Sequence, residues 1–460
     1  MNFYVVQFLS GLAAAATLFL VAAGLSLIFG VTRIVNFAHG SFYMLGAYVA
    51  YSLTERLATG VFGFWASVVL AAAVVGLIGV AMEVLLLRRL YRSPELFQLL
   101  ATFGVVLIVQ DAVLAAWGAE DLLGRRAPGL RGAVSILGQP FPEYELVLIL
   151  LGPAVLGLLW LLLHRTRWGV LVRAATQDRE MASALGINER LLFTSVLFVG
   201  SALAGLGGAL QVPREAVNLH MDIAIIVEAF VVVVVGGMGS IGGAFLAALL
   251  IGQLHAFGIL IFPGITLVLV FLVMAVVLVI RPHGLMGRPE SPTQAAGRHA
   301  SPPVEPASPV LRRLGVMTLG ALLLLPFVGG DYAVLLATET IILALFAASL
   351  HFMMGPGGMM SFGHAAFFGL GAYGAGMATT HFSLPMSLAL VLAPVAAGLG
   401  GLAVGWFVVR RSGVYLAMLT LAFAQIVWAI SFQWVEVTGG DNGLLGLWPP
   451  GWARDPATFY

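Results

Sequence analysis

The chain has 460 residues, 60% of them apolar and only 9% charged, with a formal net charge of +1. Soluble domains carry a charged share of about 25%, so a body of this size with so little polar surface reads as a membrane protein. There is no basic tract suited to nucleic acid, and the lack of cysteine excludes disulfides and thiolate chemistry while leaving the redox compartment undetermined.

The N-terminus, Met1-Asn-Phe-Tyr, has no positive n-region, and the apolar stretch behind it runs too long for an ordinary signal peptide, so it reads as a first membrane helix. Apolar runs of about 20 residues, the length that crosses the hydrocarbon core, predict spans over 8–30, 36–57, 62–88, 96–117, 145–164, 190–212, 223–236, 243–260 and 263–281. They resume over 311–329, 333–355, 361–382, 384–409 and 415–435. Between the seventh and eighth, Gly236-Gly-Met-Gly-Ser-Ile-Gly-Gly243 interrupts the apolar run. Such a break is tolerated only where protein or a cavity satisfies the freed backbone.

Thirteen residues return 325 positions later. Asn36-Phe-Ala-His-Gly-Ser-Phe-Tyr-Met-Leu-Gly-Ala-Tyr48 aligns without gaps to Ser361-Phe-Gly-His-Ala-Ala-Phe-Phe-Gly-Leu-Gly-Ala-Tyr373, with seven identities. On a helix His39, Phe42 and Gly46, and likewise His364, Phe367 and Gly371, share one face. Further on, Thr102, Ile108 and Val109 align with Thr420, Ile426 and Val427. Two related halves of one transporter are the expectation. The fold class is therefore all-α, a polytopic membrane protein with about 14 membrane segments in two parallel pseudo-symmetric halves. Residues 1–288 form the first half, 289–309 a Pro-rich cytoplasmic linker, and 310–460 the front of the second half. Gly287 to Pro309 holds six prolines and no apolar period, the composition of an extended or disordered tether. The second copy stops at Tyr460, where the first begins its fifth span, so the chain reads as a fragment or as carrying a truncated second half.

All 22 basic residues are arginine. With the N-terminus outside, 16 of them face the cytoplasm, as the positive-inside rule requires. Nine crossings then deliver residue 281 to the cytoplasm, and the extra helix over 311–329 returns the chain outside. The halves are thus parallel, whereas an inverted repeat needs the opposite parity.

Individual residues admit competing readings. Each histidine reads first as structural, beside a capping Asn36 or Ser361 and donating to a backbone carbonyl. The alternative is a symmetry-related pair at the pathway. The His39/Phe42/Gly46 and His364/Phe367/Gly371 face is expected near the pseudo-twofold, its small residues letting helices approach. Of the acids inside spans, Glu83 reads as snorkelling or pairing near Arg88 and Arg89, and Asp111 as hydrated. Glu228 and Glu339 are the candidates for lining a cavity and meeting a solute ammonium. Ser201, Gly205 and Ala209 form a small-residue packing stripe. The mixed-charge segment His164–Arg190 is either a solvated loop or a short inner helix that docks on another protein, ending at Gly186.

A resemblance favours the second. Asp178 to Ile187, with Ala182 and Gly186, looks like the coupling-loop signature of ABC importer permeases. Gly30-Val-Thr-Arg-Ile-Val-Asn-Phe-Ala-His-Gly40, Arg173-Ala, Gly236 through Ala244 and Arg281-Pro-His-Gly-Leu-Met-Gly287 resemble the first permease subunit of branched-chain amino acid (Liv-type) ABC importers. From about 311, Gly358–Tyr373, Gly413-Val-Tyr-Leu-Ala-Met-Leu-Thr and Thr438-Gly-Gly-Asp-Asn-Gly-Leu444 resemble its partner permease. The resemblance implies a bacterial inner-membrane permease and no enzyme. Its partners would be ABC ATPase subunits docking on Arg173, Asp178, Glu180, Ala182 and Gly186, and an extracytoplasmic solute-binding protein. Its solute would be leucine, isoleucine or valine, with urea, short amides or another small polar solute as the alternative and a secondary carrier or channel as the rival class. No cofactor or metal is implied. A P-loop needs a lysine, and this chain has none.

Overall fold

The computed structural model describes residues 2–57, 60–91, 93–177, 179–287, 306–410, 413–447, 450–451 and 454. Most of the expected linker, residues 288–305, therefore lies outside the described residues. The chain divides into two compact units, Met1–Arg288 and Pro289–Tyr460.

In the first unit, α1 is Asn2–Thr32, α2 Ala38–Leu57 and α3 Val61–Met82, which runs on through a π-helical turn, Glu83–Leu87. Then α4 is Glu95–Trp117, and a short antiparallel hairpin pairs Ala133–Ile136 with Gln139–Pro142. The long α5, Glu143–Arg165, is followed by two short helices, α6 (Arg167–Gln177) and α7 (Arg179–Ala184). The unit closes with α8 (Glu189–Gln211), α9 (Met221–Gly236), α10 (Ile241–Ile261) and α11 (Thr266–Ile280). The second unit contains α12 (Pro309–Val328), α13 (Asp331–Met354), α14 (His364–Thr380), α15 (Met386–Val408) and α16 (Gly413–Gln433).

Every expected span has a helix within a few residues of its place. Among the described residues, eleven helices are long and apolar enough to cross a membrane. The three others are α2, which carries Glu55 and Arg56, and the short α9 and α14.

The centre of the first unit is α1. From Ala13 to Phe29 nearly every residue is buried, all the way round the helix. Small residues make this possible. A Cβ on Gly24 would sit 2.4 Å from the Gly200 carbonyl of α8. One on Gly252 of α10 would sit 2.5 Å from the Gly11 carbonyl. Helices therefore touch backbone to backbone, which gains dispersion contacts where lipid offers no hydrophobic drive. The expected stripe on α8 behaves this way too. Ser201 packs under Gly79 of α3, Gly205 under Gly46 of α2, and Ala209 is fully buried.

The glycine break resolves the backbone problem it raises. The Val235 and Gly236 carbonyls at the end of α9 accept from the Leu285 and Met286 amides at 2.8 and 2.9 Å. Ser240 then caps α10 by accepting from the Gly243 amide at 3.1 Å. The turn after α11 thus clasps the broken helix. A Cβ on Gly237, whose φ is +103°, would lie 2.2 Å from the Gly287 nitrogen, so both glycines are needed for the approach.

Candidate functional site

The repeated motif has the same internal geometry in both units. Asn36 Oδ1 accepts from the Ala38 amide at 3.1 Å, and Ser361 Oγ from the Gly363 amide at 3.3 Å. Thr102 accepts from the Phe37 amide while donating to Leu99, as Thr420 accepts from Phe362 while donating to Ala417. His39 meets Phe42 edge-on at 6.4 Å between centroids, and His364 meets Phe367 at 6.2 Å. Residues 36–48 and 361–373 are therefore one local structure built twice.

What the two copies face differs. His39 and Phe42 are fully buried, with His39 Nε2 2.9 Å from the Val21 carbonyl. A carbonyl can only accept, so Nε2 carries the proton and the imidazole is the Nε2–H tautomer. A Cβ on Gly46 would lie 2.2 Å from the Gly205 carbonyl. This face packs between α1 and α8 within its own unit. In the second unit His364 is half-buried and its Nε2 lies 2.7 Å from Ser349 Oγ of α13. Phe367 is half-buried, and a Cβ on Gly371 would make only an ordinary contact with α15, 3.4 Å from the Ala393 carbonyl.

The acids inside spans fall into separate places. Glu83 is fully buried at the start of the π-helical turn, where Arg88 donates to both carboxylate oxygens at 3.2 and 2.8 Å. Asp111 is exposed. Glu228 is half-buried on α9 and interacts electrostatically with His255 of α10 and Glu215 of the preceding loop. Among the described residues its carboxylate makes no hydrogen bond. Glu339 is exposed on α13. Within the first unit, His39 meets the Val21 carbonyl while Glu228 faces His255 and Glu215, so these two candidates have separate surroundings.

Sequence reasoning missed Asp222. It is only 1% exposed, and its carboxylate accepts from Gln110 of α4 at 3.0 Å and Ser41 of α2 at 3.3 Å, and from the Ile223 amide at 2.7 Å. Gly40 lets the two helices approach there, its Cβ position 2.2 Å from the Asp222 carbonyl. The available signal was an acid in the first turn of a short span, followed by the apolar Ile223-Ala-Ile-Ile-Val227 before Glu228.

The inner loop is two helices, α6 and α7. Gly186 ends α7 at φ +81°. Its amide donates to Ser183, and the Ile187 amide donates to Ala182, the paired bonds of a glycine-terminated helix. Asn188 caps α8 by accepting from the Leu191 amide at 3.2 Å. Arg173 folds back to donate to the Leu163 carbonyl. Ala182 is buried, whereas Met181 and Leu185 are 57% and 75% exposed. Asp178 lies outside the described residues; Glu180 is placed in α7 by its backbone.

With this geometry in place, similarity to known proteins becomes informative. The model for the branched-chain amino acid transport system permease component matches residues 7–278 and 332–456. A high-affinity branched-chain amino acid transport system permease protein, BraD of Pseudomonas aeruginosa, is 30% identical over 297 residues, 62% of this chain and 97% of its own. LivH of Escherichia coli, described in the same words, is 27% identical over 303 residues, 63% of this chain and 97% of its own. LivM of Salmonella typhimurium, also such a permease protein, is 32% identical over 157 residues, 33% of this chain and 37% of its own. No solved structure matches.

Proposed function

Because the chain belongs to the family of branched-chain amino acid transport system permease components, we propose that it forms the membrane pathway of an ATP-driven importer for leucine, isoleucine and valine. One family model matches both units, and the same histidine–phenylalanine–glycine structure is built in each. That observation carries the reading. ATP hydrolysis belongs to separate subunits, and a binding protein delivers solute from outside. With the N-terminus outside, arginine gathers on the cytoplasmic side. The α6–α7 loop then lies inside, where its exposed Met181 and Leu185 and the Arg173–Gly186 segment form the docking surface for an ATPase subunit.

Moving a zwitterion through an apolar wall requires groups that replace its hydration. Glu228 suits the ammonium: its carboxylate is half-buried and makes no hydrogen bond among the described residues. Glu339 offers a second carboxylate within the apolar α13. His39, Phe42, Gly46, His364, Phe367 and Gly371 form the repeated face that shapes the helices around the passage.

The test is uptake of labelled leucine, isoleucine, valine and urea by a strain lacking its own systems, supplied with this chain, its ATPase subunits and its binding protein. Uptake of the three amino acids, with Glu228→Gln raising the half-saturating concentration, is the expected result. Uptake of urea alone would refute the solute assignment.

A further inference from the structure

Glu83 is an acid that neither the solute path nor the docking surface uses, and its surroundings are unusually specific. In an α-helix, residues five apart point about 140° away from each other. The π-helical turn Glu83–Leu87 narrows that offset. The Arg88 amide bonds the Glu83 carbonyl, and the Arg88 guanidinium folds over the Glu83 carboxylate as a two-pronged pair at 3.2 and 2.8 Å. Tyr91 donates to the same carboxylate at 3.2 Å, and the Thr194 hydroxyl lies 2.7 Å from it. Arg88 also donates to Thr194 at 3.0 Å. The whole cluster centres on a carboxylate with no exposure.

Thr194 links the cluster to the inner loop. It lies near the start of α8, six residues beyond the capping Asn188 that ends the loop. Its neighbour Ser195 accepts from Trp168 Nε1 of α6 at 2.7 Å. The start of α8 is therefore tied on one side to the loop and on the other to the inner end of α3. Farther along, α3 and α8 interlock, Gly76 against Phe198 and Gly79 against Ser201. Packed elements of this kind shift as units and do not deform continuously.

We propose that Glu83 is a positioning residue that fastens α3 to α8, so that displacement of the α6–α7 loop moves both helices together. The inference rests on the reading that this loop docks an ATPase subunit. With Glu83 neutralised, Arg88 and Thr194 lose the charge that orders them, and the loop moves without carrying the end of α3 beyond Met82, although Gly76 and Gly79 still pack on α8.

The experiment uses the full chain assembled with its ATPase subunits and binding protein, comparing wild type, Glu83→Gln and Glu83→Asp. In proteoliposomes Glu83→Gln is expected to release phosphate within about twofold of wild type while leucine taken up per phosphate falls at least fivefold, the lower end of ordinary coupling factors of about 5- to 150-fold. Glu83→Asp, which keeps the charge, should recover part of the ratio. Hydrogen exchange gives a solute-independent readout. Docking of the ATPase should slow exchange over both 167–184 and 80–91 in wild type, and over 167–184 alone in Glu83→Gln. An unchanged uptake ratio in Glu83→Gln, or an unchanged exchange response at 80–91, overturns the proposal. Uptake and phosphate release falling together, in proportion to lost protein, overturns it as well by assigning Glu83 to folding alone. A wild-type loop that gains no protection refutes the docking reading, and wild-type hydrolysis without leucine uptake refutes only the solute assignment.

Discussion

Gly46 and Gly371 occupy equivalent positions of the repeat, yet the structure gives opposite expectations for alanine at the two sites. A Cβ on Gly46 would lie 2.2 Å from the Gly205 carbonyl oxygen and 2.5 Å from its Cα, so backbone blocks it on both counts and no side chain can turn away. Restoring an ordinary contact needs about 1 Å of separation between α2 and α8, overpacking that costs about 1–3 kcal/mol. Because both helices are held elsewhere, by His39 on α1 and by Ser201 under Gly79, the upper end applies. The gain in helix propensity returns about 1 kcal/mol, leaving Gly46→Ala destabilised by about 2 kcal/mol. At Gly371 the nearest atom is the Ala393 carbonyl at 3.4 Å, an ordinary contact. There the propensity gain stands alone, and Gly371→Ala should be stabilised by about 0.5–1 kcal/mol. Thermal unfolding of the detergent-purified chain, followed by size exclusion, measures both. Hydrogen exchange over 38–57 and 189–211 locates the first effect. Equal midpoints for the two variants, or unchanged exchange in Gly46→Ala, would refute the packing argument.

Gly186→Pro should abolish uptake while leaving the protein in the membrane. Proline holds φ near −65° where Gly186 sits at +81°, and it removes the amide bonded to Ser183; normal uptake in membranes of equal protein content would count against the loop's role. Cysteine placed at Arg125 should react with an impermeant thiol reagent in intact cells and cysteine at Gln177 should not, and the reverse pattern would invert the topology. Asp222→Asn should stay within about 1 kcal/mol of wild type in thermal unfolding, since the asparagine keeps an accepting oxygen for Ser41 and a turned Gln110 oxygen can accept from its amide. Asp222→Leu should lose about 3 kcal/mol by leaving Ser41 and Gln110 without their acceptor. If the asparagine variant is as unstable as the leucine one, the charge itself is required.

Helix positions were legible because length decides them: a run that crosses the hydrocarbon core reads the same in any fold. The repeat was legible as well, because Thr102 and Thr420 recur at the right distance from Phe37 and Phe362 to make the same bond. Gly186 announced a helix stop through its freedom at positive φ. Burial was not legible. In the first unit α1 is buried along most of its length, and in the second α12 has no buried residue, yet α1 and the Leu314–Val328 part of α12 are both apolar on every side. In a bilayer, lipid and protein interior select the same residues, so hydropathy does not separate a core helix from a lipid-facing one. Only small residues distinguish them, and their message is pairwise: Gly24 is informative once Gly200 is known to face it.

The missed Asp222 has a related cause. Asp222 stands at the edge of an apolar run, where an acid reads as the end of a span, and only the packing of Gly40 against its backbone shows that the edge is buried. The pairing of Glu83 with Arg88 was legible from their nearness at the end of the span; its geometry was not, because residues five apart lie on different faces of an α-helix. Nothing in Glu83-Val-Leu-Leu-Leu-Arg88 marks the π-helical turn, and Thr194, 111 residues further on, supplies the Glu83 carboxylate with a third partner. Local sequence therefore specifies the helices and their ends here, while the ionic cluster that fastens two of them is specified by a residue distant in the chain. Exchanging Thr194 for valine tests that order of cause, since the turn should relax toward regular helix although its own residues are untouched.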